Sequence, residues 1–225
     1  MKSQLKSALL ISATVAATFA NATVMIDDFN TGAASSSLSS GFQYFSQAGS
    51  MVGGDRIVFI SVTSNAFGLN MAVDTSVGVL SINSQSGVDG LGAVAYGLNL
   101  VNPTSTSFDD LNLNLSGENQ FKIRTLSRDG DLTIRVNVRN GNGTNFTVSQ
   151  TLFGSSINTA EDTFFNFASF TGVNFADVDQ IQVDFDTANS GDVAVDYIQA
   201  VPEPATLTIL GAAAAIAAAR RRRNK

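Results

Sequence analysis

The sequence predicts an all-β chain: an antiparallel β-sandwich of the jelly-roll type, flanked by an N-terminal signal peptide and a C-terminal apolar helix. Two observations predict the sandwich. Apolar and polar residues alternate with a period of two in one short segment after another, and turn-forming pairs such as Asp-Gly and Asn-Pro separate the segments. Between the termini no segment has helical periodicity, apart from a short turn near residues 175–178. About ten short strands at this spacing are typical of two packed antiparallel sheets.

The alternation marks the strands individually. It extends over the segments 56–64, 77–83, 91–100, 120–126, 132–140, 145–152, 181–186 and 193–199. In the last segment we expect Val193, Val195 and Tyr197 to share one face of the strand. Asp196 and Ile198 then belong to the opposite face.

Residues 127–131, Ser-Arg-Asp-Gly-Asp, connect two of these strands, and their Asp-Gly pair predicts a tight hairpin. The sequence Asp129-Gly130-Asp131 also resembles a fragment of a calcium-binding loop, but the remaining ligand positions of that loop are missing from the sequence. The hairpin is therefore the better interpretation.

Four cations lie on the outward faces of this predicted hairpin: Lys122, Arg124, Arg135 and Arg139. Such a cluster could form a ligand face for carboxylated or sulfated polysaccharide, because arginine binds carboxylates in a bidentate manner. The alternative is a surface role, in which the charges prevent strand-to-strand aggregation or pair with Asp184 and Asp186. We favour the surface role.

The composition limits the chemistry that the chain can perform. It contains no histidine, no cysteine and no tryptophan. The lack of histidine excludes Ser-His-Asp and Cys-His nucleophiles and imidazole metal sites, and the lack of cysteine excludes disulfides. Paired carboxylates could still cleave glycosidic bonds, but the body between the termini has only the glutamates Glu118 and Glu161, both in loop-like stretches. We therefore predict that the protein is not an enzyme.

The charge of the body is strongly negative. Seven of the thirteen cations and one of the nineteen acids lie in the two terminal segments, which leaves six cations against eighteen acids, a net charge of −12. This balance predicts that nucleic acid is not a partner. It is compatible with divalent cations or neutral sugars as ligands.

The N-terminus predicts a signal peptide over residues 1–22. Lys2 and Lys6 precede a short apolar stretch, and Ala20-Asn21-Ala22 forms an A-x-A cleavage site. Cleavage after Ala22 would export the chain through the Sec pathway and leave residues 23–201 as the β-sandwich domain.

The C-terminus, residues 202–225, has three parts. A Pro-Glu-Pro motif comes first, an uncharged apolar run over residues 205–219 follows, and an arginine cluster comes last. The motif and the cluster consist of Pro202, Glu203, Pro204, Arg220, Arg221, Arg222 and Arg223. As a helix the run would be roughly 22 Å long, which is short for a bilayer core of about 30 Å and predicts a weak transmembrane helix. The arginines orient its end toward the cytoplasm.

This order of parts resembles the PEP-CTERM sorting signal. The resemblance implies export, transient anchoring in the inner membrane, and processing near the Pro-Glu-Pro motif by an exosortase, a membrane transpeptidase. Proteins of this kind typically come from Gram-negative bacteria that make exopolysaccharide. An ordinary C-terminal membrane anchor is the alternative.

The body resembles a second group. The segments 26–30, 53–56, 170–175, 178–183 and 195–198 are similar to features of carbohydrate-binding-module sandwiches. This resemblance implies a jelly roll that binds sugar.

Four aspartates could bind a structural Ca²⁺: Asp27, Asp28, Asp192 and Asp196. The first two open the first strand and the others belong to the last, and in many sandwiches these strands are neighbours. Calcium accepts six to eight oxygen ligands in loose geometry, so scattered aspartates can suffice. Solvated or turn-forming aspartates are the alternative, and no other cofactor is predicted.

Together these features predict a protein of the cell surface or the extracellular matrix, sorted by an exosortase, that binds exopolysaccharide through a jelly roll. A structural surface protein without a sugar ligand is the first alternative, and a carbohydrate-active enzyme is the second.

Overall fold

The structure is a computed structural model that describes residues 23–76, 78–154 and 156–202. These residues form strands and two short 3₁₀ helices, Val52–Gly54 and Phe167–Ser169. In chain order the strands are β1 (Val24–Asp27), β2 (Ala34–Leu38), β3 (Gly41–Ala48), β4 (Asp55–Asn65), β5 (Met71–Ser76), β6 (Val79–Ser84), β7 (Val88–Tyr96), β8 (Leu98–Asn102), β9 (Ser105–Phe108), β10 (Gln120–Arg128), β11 (Leu132–Asn140), β12 (Asn145–Leu152), β13 (Glu161–Asn166), β14 (Val178–Thr187) and β15 (Asp192–Val201).

The strands form two large antiparallel sheets and one separate hairpin. The back sheet has the order β13-β10-β15-β6-β5-β2, and β1 also pairs with β15. The front sheet has the order β12-β11-β14-β7-β4-β3, while β8 and β9 pair only with each other. The prediction of an all-β chain with antiparallel sheets is confirmed, and every predicted segment overlaps a strand.

The two sheets share one core because their strands turn an apolar side toward each other. In β11, for example, the buried residues alternate with partly exposed ones along the strand. Large, fully buried apolar side chains of this core come from both sheets: Phe121, Phe165, Phe185, Ile60, Met71, Leu80 and Ile82. Burial of each such side chain contributes about 1.5–3 kcal/mol, so the shared core is what holds the sheets together.

The segment around Asp129 and Gly130 does not form the predicted hairpin. Strand β10 pairs with β13 and β15 in the back sheet, whereas β11 pairs with β12 and β14 in the front sheet. The chain does turn sharply here, since Gly130 has φ of 81°. Arg128 fixes the corner by donating to the Gly130 carbonyl oxygen (2.6 Å) and to Oε1 of Glu161 (2.8 Å). The prediction was wrong because a turn signal does not specify whether the next strand joins the same sheet.

In the last strand, some side chains point to the opposite side of the sheet from the one predicted. Arg124 pairs with Tyr197 and Thr125 pairs with Val195, so Asp196 is an extra residue in β15. This β-bulge shifts the alternation by one position. Tyr197 is therefore partly exposed on the outer face of the back sheet, and Ile198 is buried in the core.

The first and last strands close the domain. Val24 lies opposite Ala200, and Met25 lies opposite Gln199, in the antiparallel pairing of β1 with β15. Residues 23–202 share one core that joins both sheets, and their first strand pairs with their last. This segment therefore has the contacts that a domain needs in order to fold on its own.

Candidate functional site

The outer face of the front sheet carries a cleft of about 180 Å³ beside the β8–β9 hairpin. Ala93 and Ala95 of β7 form its floor, and their small side chains leave space that larger outward residues would fill. Leu98 and Thr106 of the hairpin line another side. The cleft thus exists because β7 has small outward residues where the hairpin lies over the sheet.

Aromatic rings form one wall of the cleft. Tyr44 and Phe59 lie opposite each other on β3 and β4, and their ring centroids are 4.7 Å apart. Phe42 extends this wall toward solvent, at 6.0 Å from Tyr44 and 6.1 Å from Phe59, and is 48% exposed. The period-two alternation of β4 places Phe59 outward, since Val58 and Ile60 are buried in the core. The rings of Tyr44 and Phe59 are tilted by 34°, and they offer an apolar surface against which a ligand ring can pack.

Two amide side chains line the cleft from β14. Gln180 and Gln182 belong to the outward positions of this strand. Nε2 of Gln182 donates to Oδ1 of Asp184 over 2.7 Å, which holds the amide in one orientation. Burial raises the pKa of Asp184, whereas the hydrogen bond from Gln182 and the charge of Arg135 act in the opposite direction. Amides both donate and accept hydrogen bonds, as hydroxyl groups do.

An ion pair continues the face beyond the amides. Nη2 of Arg135 on β11 lies 2.5 Å from Oδ2 of Asp186 on β14. The outer face of the front sheet therefore changes from aromatic at β3 and β4, through amide at β14, to ion-paired at β11. The pair adds hydrogen-bonding groups without adding net charge.

The β8–β9 hairpin is held against the front sheet at three points. Gly97 (φ 80°) turns the chain out of β7, and a Cβ at this position would lie 2.0 Å from the carbonyl oxygen of Asp179. The backbone N–H of Tyr44 donates to the carbonyl oxygen of Pro103 (2.7 Å). The guanidinium carbon of Arg139 lies 4.2 Å from the ring centroid of Phe108. These contacts position one side of the cleft.

The four predicted cations are divided between the two faces of the sandwich. Lys122 and Arg124 are on β10 in the back sheet, and Arg135 and Arg139 are on β11 in the front sheet. Lys122 Nζ lies 3.0 Å from Oδ2 of Asp162, and Arg124 contacts Asp162 and Asp196 at 3.5 and 3.6 Å. The structure therefore does not bring the four cations together as one ligand face.

The four predicted calcium ligands are also separate. Asp27 is buried and paired with Arg56, while Asp196 faces Arg124. The side chain of Asn30, and then its backbone N–H, which donates to the Asp28 carboxylate, lower the pKa of Asp28. The Asp192 carboxylate accepts from the N–H of Ser84. In the described part of the chain, no group of three acidic residues is placed to hold a metal ion. The calcium prediction on these four residues thus has no support from their positions.

The ion pair of Asp27 and Arg56 was not predicted. Both side chains are buried, and Nη1 of Arg56 donates to Oδ1 and Oδ2 of Asp27 over 2.9 and 2.7 Å. The hydroxyl of Tyr96 donates to Oδ2 of Asp27 (2.9 Å), and burial together with the charge of Asp27 raises the pKa of Tyr96. The signal in the sequence was Arg56 itself, which occupies an inward position on the strand of Val58 and Ile60.

A second buried carboxyl lies beside the base of the hairpin. Oδ1 of Asp179 accepts from the N–H of Asn112 (3.3 Å), and its carbonyl oxygen accepts from the N–H of Leu111 (3.2 Å). Burial, and then the neighbouring Asp110 carboxyl, raises the pKa of Asp179 to about 6. Protonation of Asp179 therefore favours the packing of this loop on β14.

Of the two glutamates in the body, one pairs with an arginine and the other is buried. Glu161 accepts from Arg128, and Glu118 is 6% exposed. Burial raises the pKa of Glu118. Neither residue lines the cleft of the front sheet.

The predicted terminal segments lie outside the described residues, apart from Pro202. This applies to the signal peptide with Ala20 and Ala22, and to the helix and arginine cluster of residues 203–225. Among the residues that the structure does describe, no helix has the length and apolarity that a membrane span needs.

Several carbohydrate-binding modules have similar solved structures. The family 11 module from Clostridium thermocellum, in complex with a β-1,3-1,4-mixed-linked tetrasaccharide, is 17% identical, with a TM-score of 0.41 over 80% of this chain and 95% of that chain. A family 29 module is 14% identical, with a TM-score of 0.36 over 74% of this chain and 88% of that chain. At these values the similarity does not extend to what those modules bind.

Residues 200–223 match the PEP-CTERM protein-sorting motif. No curated protein matches the chain. The match confirms the resemblance that the Pro-Glu-Pro motif and the arginine cluster predicted, and this motif implies export and exosortase-dependent sorting to the surface. The chain is therefore an all-β protein that carries a PEP-CTERM sorting motif at its C-terminus.

Proposed function

We propose that this protein is a non-enzymatic component of the cell surface or extracellular matrix that binds exopolysaccharide through its jelly-roll domain. The ligand site is the cleft on the outer face of the front sheet. Tyr44 and Phe59 stack against the sugar ring, while Gln180 and Gln182 bond its hydroxyl groups. The domain needs no metal ion for this, because every one of these contacts comes from a side chain.

The combination of ring and amide in one cleft carries the proposal. Sugar sites need an apolar surface for the ring face and polar groups that both donate and accept for the hydroxyls. The cleft has both kinds of group on one face of the sheet. A hydrogen bond of 2.7 Å to Asp184 already holds the amide of Gln182 in place. This orientation reduces the conformational entropy that ligand binding would otherwise cost.

The route to the surface follows from the two terminal segments. The signal peptide of residues 1–22 directs Sec export, and the apolar segment after Pro204 holds the chain in the inner membrane until an exosortase cuts near the Pro-Glu-Pro motif. Substituting Glu203→Ala with Pro204→Ala should leave the uncut precursor in the membrane fraction. Normal release of this variant would contradict the route.

A structural role without a sugar ligand is the second candidate. It is favoured by the β11–β12 edge of the front sheet, where Thr133 and Thr151 share a hydrogen bond of 2.9 Å and Asn137 donates to Thr147 over 2.7 Å. These side chains satisfy one another, and such a polar edge suits a durable, soluble surface.

A glycan array separates the two candidates. Residues 23–202 would be applied to an array that includes the producing strain's own exopolysaccharide, with calcium and with chelator. We expect saturable binding under both conditions, weakened about tenfold or more by Tyr44→Ala. The matched control is Phe153→Ala, which removes a ring that is 76% exposed and outside the cleft. An array without binding would favour the structural role.

A further inference from the structure

Tyr197 lies on the outer face of the back sheet, although the regular alternation of its strand predicts a buried position. The bulge at Asp196 turns Tyr197 outward and lets Ile198 fill the core position instead. Bulges occur where a strand re-aims a side chain, often beside functional sites. The placement of Tyr197 on the outer face is therefore a specific feature of β15.

Charged groups surround this ring. Nζ of Lys122 lies 5.4 Å from the ring centroid of Tyr197, and Arg124 is the cross-strand neighbour of the tyrosine. Asp162 on β13 contacts both cations, at 3.0 Å from Lys122 and 3.5 Å from Arg124. Two cations and one carboxylate thus lie beside this ring.

The surface around Tyr197 is accessible. Phe164, the cross-strand neighbour of Lys122 on β13, is 43% exposed. The contacts of Arg124 to Asp162 and Asp196 are long, at 3.5 and 3.6 Å, and the Arg124 side chain is 36% exposed. Because a guanidinium has five N–H donors, Arg124 keeps donors that a ligand can use.

We propose that this patch of the back sheet, defined by Lys122, Arg124, Asp162, Phe164 and Tyr197, is a second sugar-binding site that takes an uncharged sugar unit. The mixture of donors and acceptors fits hydroxyl groups, which both donate and accept. A carboxylated sugar would compete with Asp162 for the same cations and would meet a body with a net charge of −12.

The position of this second site has a functional consequence. The outer faces of the two sheets lie on opposite sides of the shared core. A molecule with a site on each face can hold two polysaccharide chains at once and cross-link them. This inference rests on the proposed function, because the bridge needs the front-sheet cleft as its other half.

Affinity electrophoresis and turbidity test the bridge together. Residues 23–202 would be run in native gels that contain mixed-linkage β-glucan, β-1,4-galactan or the producing strain's exopolysaccharide, and would be mixed with the same polymers in solution. The variants are Tyr44→Ala for the front sheet, Tyr197→Ala for the back sheet, the double variant, and Phe153→Ala as the matched control. Tyr197→Phe with Lys122→Met provides a milder change at the back sheet, and thermal unfolding verifies that each variant is folded.

We expect each single variant to be retarded less than the wild type, with an apparent affinity lowered about tenfold or more for Tyr44→Ala and about fivefold for Tyr197→Ala. The double variant should not be retarded. Only the wild type and the Phe153→Ala control should cloud the polymer solution. If Tyr197→Ala and the milder variant cloud it like the wild type while Tyr44→Ala abolishes retardation, the second site is refuted and the proposed function stands. If the wild type is retarded by none of these polymers, both proposals are refuted.

Discussion

Substituting Arg56→Met tests whether one buried ion pair ties the two sheets together at the end of the sandwich. Arg56 is on β4 of the front sheet, and Asp27 is on β1 of the back sheet. Besides its two bonds to Asp27, Arg56 donates to Gln47 (2.5 Å) and to the carbonyl oxygens of Thr31 (2.8 Å) and Gly32 (3.0 Å). Methionine keeps an apolar stem in the core but removes all of these donors.

The expected cost follows from what the substitution leaves behind. Removing one partner of a buried ion pair costs about 3–5 kcal/mol, because the other charge is left without compensation. A domain of this size is stable by about 5–15 kcal/mol, so the loss is a large fraction of the total. At about 2–4 °C per kcal/mol, the Tm should fall by about 6–20 °C.

Thermal and urea unfolding of residues 23–202, followed by circular dichroism, measures this loss. The double variant Asp27→Leu with Arg56→Met should be less destabilised than the sum of the two single variants, with a coupling of about 2 kcal/mol or more. Phe153→Ala, at an exposed site, should unfold like the wild type. A loss below about 1 kcal/mol for Arg56→Met, or additive single variants, would refute the reasoning.

Three further predictions concern the base of the hairpin and the same ion pair. Asp179→Asn should change how the stability depends on pH. Because folding raises the pKa of Asp179 from 3.8 to about 6, the wild type loses stability as the pH rises from about 4 through 6. Unfolding measured as a function of pH should show that the asparagine variant lacks this loss. Gly97→Ala should cost about 3 kcal/mol or more in urea unfolding, since its Cβ would meet a carbonyl oxygen at 2.0 Å; wild-type stability would contradict the required backbone geometry. Tyr96→Phe should cost about 1–2 kcal/mol in the same assay, since it removes one bond to Asp27, and a neutral effect would argue against that bond.

The strands were predictable because local alternation reports which side of a strand is buried. The segments at 120–126 and 132–140 were both located correctly. Their partners were not, because an Asp-Gly turn looks the same whether the chain returns in one sheet or crosses to the other. The bulge at Asp196 was invisible for a related reason: it depends on how β15 pairs with β10, which the sequence of β15 alone does not specify.

The cleft could not be predicted because its residues meet only through the sheet order. Tyr44, Phe59 and Gln182 come from β3, β4 and β14, which the front sheet brings onto one face. The prediction of one cluster of basic residues was wrong for the opposite reason. These residues are close in the sequence, but they lie on β10 and β11, which belong to different sheets. Arg56 could have been recognised, since an arginine at an inward position of an apolar strand needs a buried acidic partner.

Mapping the ligand by NMR tests the central claim most directly. Isotope-labelled residues 23–202 would be titrated with oligosaccharides from the producing strain's exopolysaccharide, and amide and side-chain shifts would be followed. The account predicts saturable shifts centred on Tyr44, Phe59 and the side-chain amides of Gln180 and Gln182, together with the β8–β9 hairpin. Saturable shifts that leave the residues of this cleft unaffected, or no saturable shift at all, would contradict it.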